Sequence, residues 1–241
     1  MKLDVLAFGS HPDDVELAAG GTLAKLADQG YRTGVVDMVR GELGTRGNAR
    51  LRAREAQASA RVLGLQIRDN LRLTDGQIFD DHAARLSVIK VLRKYRPDLV
   101  FTHYWDDRHP DHVHTSRIVT SACYLSGLTK IRTGEERFRP QRIFYFKLPP
   151  YVLPSFVVDI SRHFSKKMEA LRCFQSQLHD PRSKDPGTYL SVPEFLPELE
   201  NLHEYYGALI EARYGEAFYC KEAIAVEDPV AFFRRKVELK P

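Results

Sequence analysis

His11-Pro12-Asp13-Asp14 and His109-Pro110-Asp111-His112 carry the same tripeptide twice, each time directly after a short apolar run that reads as a β-strand. A His and a second metal-competent side chain three residues apart, with Pro between them, can both be aimed at one point from the first turn of a helix. Pro suits the first helical position, where its missing N–H would have no partner anyway. His11 and His109 are therefore predicted N-caps, with Asp13 and Asp111 in first turns, where the helix dipole favours carboxylates. Asp14 and His112, one turn on from the histidines, can point back toward the same cleft. Two imidazoles and one carboxylate around an open position form the donor set of hydrolytic zinc enzymes, in which a bound water has its pKa pulled to about 7. Asp13, left over beside the donors, is then available as a base. Either motif alone reads as an ordinary capped helix start, so it is the pair that points to chemistry.

The elements that carry the motifs decide whether they meet. Apolar runs over residues 3–8, 33–39, 70–73 and 99–103 read as strands, and helical spacing covers 17–29, 50–63 and 82–95. Gly30 and Gly64 end the first two helices, and Arg96-Pro97 stops the third. Such alternation predicts an α/β, Rossmann-like doubly wound fold: a mostly parallel sheet with helices on both faces, in a single domain over 1–241. In the strand order 3-2-1-4-5, strands one and four are neighbours, and ligands bind at their carboxyl ends where the order reverses. The two motifs follow those two strands. Beyond Pro140, residues 142–146 and 156–159 read as strands and 166–177 and 196–214 as helices. The Pro-, Ser- and Gly-rich stretch 179–197 is predicted to be a mobile rim over the cleft.

Competing chemistries lack their residues. The turn after the first strand reads Phe8-Gly9-Ser10-His11, without the glycine fingerprint of a dinucleotide site, and neither a Gly-Lys-Ser/Thr phosphate loop nor a Gly-x-Ser-x-Gly elbow occurs. The 36 Lys and Arg are scattered among 32 Asp and Glu, which disfavours nucleic acid as a partner. Cys123, Cys173 and Cys220 are too few and too widely spaced for a disulfide framework. The N-terminus runs straight into a strand, with no basic region and long apolar stretch, so the reading is a soluble, cytoplasmic chain with no membrane partner. His82, His163 and His203 read as helix or loop surface residues, and His103 ends strand four.

The residues 7–14 and 107–112 resemble the LmbE/PIG-L family of zinc-dependent N-acetylglucosamine deacetylases. Arg40-Gly41-Glu42-Leu43-Gly44-Thr45-Arg46-Gly47, Leu51-Arg52 and Glu55-Ala56 are similar to the branch of that family serving bacillithiol biosynthesis. Lys167 to Leu171, Ser176-Gln177 and Gly215 to Phe218 extend the likeness over nearly the whole chain. The resemblance implies that His11, Asp14 and His112 hold zinc, with iron(II) as an alternative set by availability. It implies that Asp13 is the general base, that protonated His109 faces the oxyanion, and that Asp111 orients beside it. It further implies a homo-oligomer, often a hexamer, acting on a small N-acetyl sugar. On the bacillithiol branch the substrate would be N-acetylglucosaminyl malate, whose two carboxylates call for Arg52, Arg108 and Arg46. Other N-acetyl sugars, such as a chitin disaccharide or an antibiotic intermediate, are the alternative, and a non-catalytic metal- or sugar-binding module is a third. Three departures stand out: Ser10 replaces a common Ala, Ala217 stands where a Gly is common, and Asp107 sits where some relatives have Tyr.

Overall fold

The computed structural model describes residues 1–233. Its first half alternates strictly: β1 (Val5–Gly9), α1 (Asp14–Asp28), β2 (Thr33–Val39), α2 (Ala49–Leu63), β3 (Ile67–Leu73), α3 (His82–Tyr95), β4 (Leu99–His103) and α4 (Pro110–Leu125). The second half supplies β5 (Arg142–Phe146), β6 (Phe156–Asp159), α5 (Phe164–Arg172), α6 (Phe195–Ala208) and β7 (Gly215–Cys220), and the described residues close with α7 (Pro229–Phe233). The sheet order is β3-β2-β1-β4-β5-β7-β6. The first five strands are parallel, whereas β7 runs antiparallel to both β5 and β6.

Alternation along each strand feeds two separate cores. Leu6 and Phe8 of β1 join Met38, Val88, Leu92 and Ile118 on the α3/α4 face. Val5 and Ala7 join Val15, Leu23, Phe101 and Phe218 on the α1 face. Successive side chains of a strand point to opposite faces, so a strand covered on both sides must be apolar throughout. All of β1 and β2 is buried, and these were the strands most readable in the sequence.

Three readings need correction. The helix predicted to run to residue 214 stops at Ala208, and the chain returns as strand β7. Gly207 is where it turns: a Cβ there would lie 2.7 Å from the backbone of Ala212 and Arg213. The helix predicted over 166–177 covers Phe164–Arg172. His203 is 3% exposed, not a surface residue, and its Nδ1–H donates to the Gly215 carbonyl at 2.8 Å, because α6 packs directly on β7. The three cysteines are free, as their spacing implied. No helix among the described residues is long and apolar enough to cross a membrane.

A buried ion pair ties α1, α5 and β7 together. Lys167 Nζ donates to Glu216 Oε1 at 2.6 Å and to the Leu17 carbonyl at 2.8 Å. Glu216 also accepts the Gly21 and Thr22 N–H groups at 2.9 and 2.6 Å. Burial lowers the Lys167 ammonium and alone would raise the Glu216 carboxyl, but these partners hold Glu216 below its usual range. Both side chains are completely inaccessible. Lys167→Met leaves Glu216 buried without its cation, so a loss of about 3–5 kcal/mol in unfolding free energy is expected from urea titration. A loss under about 1 kcal/mol would show that the pair contributes little to holding α1.

Candidate active site

The two His-Pro-Asp turns are built differently. In the second, Pro110 is the first helical residue and His109 is the N-cap, its Nδ1 accepting the Asp111 N–H at 3.2 Å, as predicted. In the first, α1 starts only at Asp14, and Asp13 takes φ 123° and ψ −28°. A non-glycine residue in that region is strained, so the tripeptide makes a turn before the helix rather than its first turn. The His11 N–H donates to Asp14 Oδ2 at 2.8 Å, and Arg52 Nη2 donates to the Pro12 carbonyl and to Asp13 Oδ2, the latter at 2.8 Å. Ser10 links the motifs: its Oγ donates to the Asp111 carbonyl at 3.1 Å and lies 2.8 Å from Thr115 Oγ1. This replacement for Ala therefore spans both halves of the site.

Because β1 and β4 are neighbours, the motifs meet. Asp14 lies between the expected imidazoles: Oδ2 is 3.3 Å from His11 Nδ1 and Oδ1 is 3.2 Å from His112 Nε2. The outer nitrogen of each ring faces another carboxylate. His112 Nδ1 lies 2.9 Å from Asp107 Oδ2, and His11 Nε2 lies 3.2 Å from Asp75 Oδ1 and 3.5 Å from Asp111 Oδ2. An imidazole whose far N–H is held by a carboxylate presents its other lone pair to a metal. Two such imidazoles, each beside a different oxygen of the Asp14 carboxylate, offer donor types that suit a divalent transition ion.

The groups that bring one donor atom per residue within 4.8 Å of one another are His11, His109 and His112; Asp14, His103 and His112; and His11, Asp75 and Asp111. His103 is the weaker ligand of these. It is fully buried and stacked on His112 at 4.2 Å, and its Nε2 already accepts the Ser10 N–H at 3.1 Å. Burial lowers His103 to about 3, so it is neutral.

Electrostatics separates the two neighbouring aspartates. Burial alone would raise Asp14, but His112, His103 and His11 hold it well below the ordinary carboxylate range. Burial pushes Asp13 up to about 7 against the opposing pull of Arg52. His109 lies below its ordinary value through burial and the neighbouring His112 and His11. Its Nδ1 accepts a backbone N–H, so the ring carries its proton on Nε2. The bond at Nδ1 leaves the Nε2–H as the donor that His109 can offer to the cavity.

A cavity of about 870 Å³ opens over the cluster. His11, Asp13, Asp14, His109 and His112 line it, with Arg52 and Arg108 of the expected arginines. Arg46 does not: it is 5% exposed, and its loop is tied down where Gln177 Nε2 donates to the Arg46 carbonyl at 2.9 Å. Arg108 is exposed, its guanidinium 4.8 Å from the Tyr189 ring centroid. Thr188, Tyr189 and Leu190 of the 179–197 stretch form part of the cavity wall.

Asp75 and Lys147 went unmarked in the sequence, and Asp107 was noted only as a departure from relatives with Tyr. Asp75 follows β3 in Thr74-Asp75-Gly76, at the same carboxyl edge of the sheet as the motifs. That position was the one signal that could have flagged it. Asp107 holds both His112 and, through Oδ1, the His109 N–H at 2.9 Å. Lys147 follows β5 with φ 59°, its Nζ 3.5 Å from Asp107 Oδ2.

Fold and cluster together define a doubly wound α/β enzyme with a His/Asp metal-site candidate at its switch point. The chain belongs to the PIG-L family, described as GlcNAc-PI de-N-acetylase, whose model matches residues 6–123. It is 28% identical over 228 residues to a diacetylchitobiose deacetylase of Thermococcus kodakarensis, covering 88% of this chain and 80% of that protein. It is 33% identical over 125 residues to an uncharacterized deacetylase, YaiS, of Escherichia coli, covering 49% and 67% respectively. A 4-oxalmesaconate hydratase of Pseudomonas putida is 25% identical over 195 residues, covering 72% and 74%. Among solved structures, the conserved protein TT1542 of Thermus thermophilus is 34% identical with a TM-score of 0.84, covering 93% of this chain and 98% of that one. These matches make the chain an enzyme of the hydrolytic deacetylase class.

Proposed function

We propose that the protein hydrolyses the acetamide of an N-acetylglucosamine conjugate, releasing acetate and the free amine, at a zinc or iron(II) ion held by His11, Asp14 and His112. The observation that carries this reading is the position of Asp14 between the two imidazoles, with the spare carboxylate of Asp13 lining the same cavity. The ion, when bound, acidifies a water and polarises the acyl oxygen. Asp13 accepts the proton of the attacking water. The Nε2–H of His109, fixed by the bond at Nδ1, donates to the oxygen on which negative charge develops. Asp111, whose Oδ2 accepts the Gly76 N–H at 2.9 Å, anchors the second turn beneath it. The C–N bond then breaks, and the proton held by Asp13 is available to the departing amine.

The finer reading is the malate conjugate. Arg108 and Lys147 offer two cations on the cavity wall for an aglycone with two carboxylates, and Arg46 drops out of that role. Acetate release should be measured over N-acetylglucosaminyl malate, diacetylchitobiose and free N-acetylglucosamine. The malate conjugate is expected to exceed the free sugar at least about tenfold in kcat/KM, one charged contact being worth roughly 1.5–3 kcal/mol. Equal values would remove the malate reading. The hydratase among the relatives makes acetate itself the informative product, since one fold hosts unrelated chemistries.

A further inference from the structure

We propose that the cavity between α2 and β3 is a second ligand site, which takes the phosphoryl group of a small phosphorylated molecule. It encloses about 590 Å³ and shares no lining residue with the cavity over the His/Asp cluster. Arg40 just after β2, Arg50 in the first turn of α2, and Arg68 and Arg72 of β3 line it. Three separate segments thus bring guanidiniums to one concave place. The space exists because α2 lines it with Ala49, Ala53 and Ala56, whose single methyl groups leave it unfilled.

The charges of this cavity are unequally matched. Arg68 is committed: its Nε and Nη2 donate to Asp37 at 2.9 and 2.8 Å, its Nη1 donates to Glu16, and its side chain is 2% exposed. Arg40 lies 3.5 Å from Glu42, with half its side chain exposed. Arg50 and Arg72 are exposed and form no ion pair among the described residues. Asp69, the other carboxylate of the lining, already accepts the Asn70 N–H at 2.8 Å and the Tyr95 hydroxyl at 3.3 Å. A bulge aims Arg72: the β2–β3 register shifts between Asp37 and Val39, and Arg72 takes φ 56° with its N–H on Asn70 Oδ1 at 2.8 Å. Unpaired guanidiniums around one cavity repel each other, and an anion between them removes that cost. Concave walls strengthen the field that attracts it. Forks arriving from α2, from β3 and from the end of β2 suit the three oxygens of a phosphoryl group better than the planar pair of a carboxylate.

Calorimetric titration of the metal-loaded protein with inorganic phosphate tests this, with succinate as the carboxylate comparison at equal ionic strength. About one phosphate per chain is expected, bound at least about tenfold more tightly than succinate. Arg50→Ser and Arg72→Ser should each weaken phosphate at least about tenfold, the effect of losing one charge-assisted hydrogen bond. Ala53→Glu keeps every arginine and puts an anion into the cavity, so it should abolish the binding even where an arginine variant fails to fold. Phosphate bound equally by the wild type and these variants would place the anion elsewhere, at the metal for instance, and overturn the proposal. No binding by the wild type, or a preference for succinate, would do the same. Binding is read here without turnover, so the site stands or falls apart from the deacetylase reading.

Discussion

Asp13→Asn is expected to keep the metal content of the wild type and to lose roughly 10²–10⁴-fold in acetate release, the range that general-base catalysis supplies. The substitution preserves volume and leaves one oxygen to face Arg52, so the turn and the donors behind it stay in place. What disappears is the group that takes the proton from water. Asp13 is suited to that step by position, being next in sequence to Asp14 yet pointing its carboxylate to Arg52 and to the cavity rather than to the imidazoles. Single-turnover rates with metal analysis on the same sample check this, and a near-normal rate with intact metal would assign the base elsewhere.

Asp14→Ala is expected to abolish both metal binding and turnover. Asp14 lies within 3.5 Å of His11, His103 and His112 together, and it also accepts the His11 N–H. Its loss leaves three imidazoles without the anion that organises them and removes one of the three proposed ligands. Metal analysis after dialysis should find less than about a tenth of the wild-type content, a change worth roughly 1.4 kcal/mol or more in binding. Stoichiometric metal in this variant would move the site to His11, His109 and His112, whose donor atoms also lie within reach of one another.

Different parts of this molecule were legible in the sequence for different physical reasons. β1, β2 and β4 announced themselves because parallel strands covered on both faces are mostly apolar, and the order they adopt brought the two motifs together as expected. Second-motif geometry was readable because a Pro at the first helical position is a local signal. The first motif misled because Asp13 takes φ 123° in a turn before the helix, where it meets Arg52 of α2, some forty residues away. Asp75 reaches His11 from the loop after β3, and no local spacing encodes such a meeting. β7 was hidden because Glu216 breaks the strand pattern, and only the buried Lys167 explains a carboxylate there. His203 read as surface because Glu198, Glu200, Asn201 and Glu204 crowd it in sequence, and its burial depends on β7 being where it is.

The central claim is that the paired motifs form one metal-dependent amide hydrolase. Its most direct test is the yield of acetate from an N-acetylglucosamine conjugate by the purified protein, first stripped with a chelator and then reloaded with one equivalent of zinc. Background release is predicted from the stripped protein and restored turnover on reloading, with one amine formed per acetate. Equal release with and without metal, or none from the fully loaded protein on any conjugate, would contradict it.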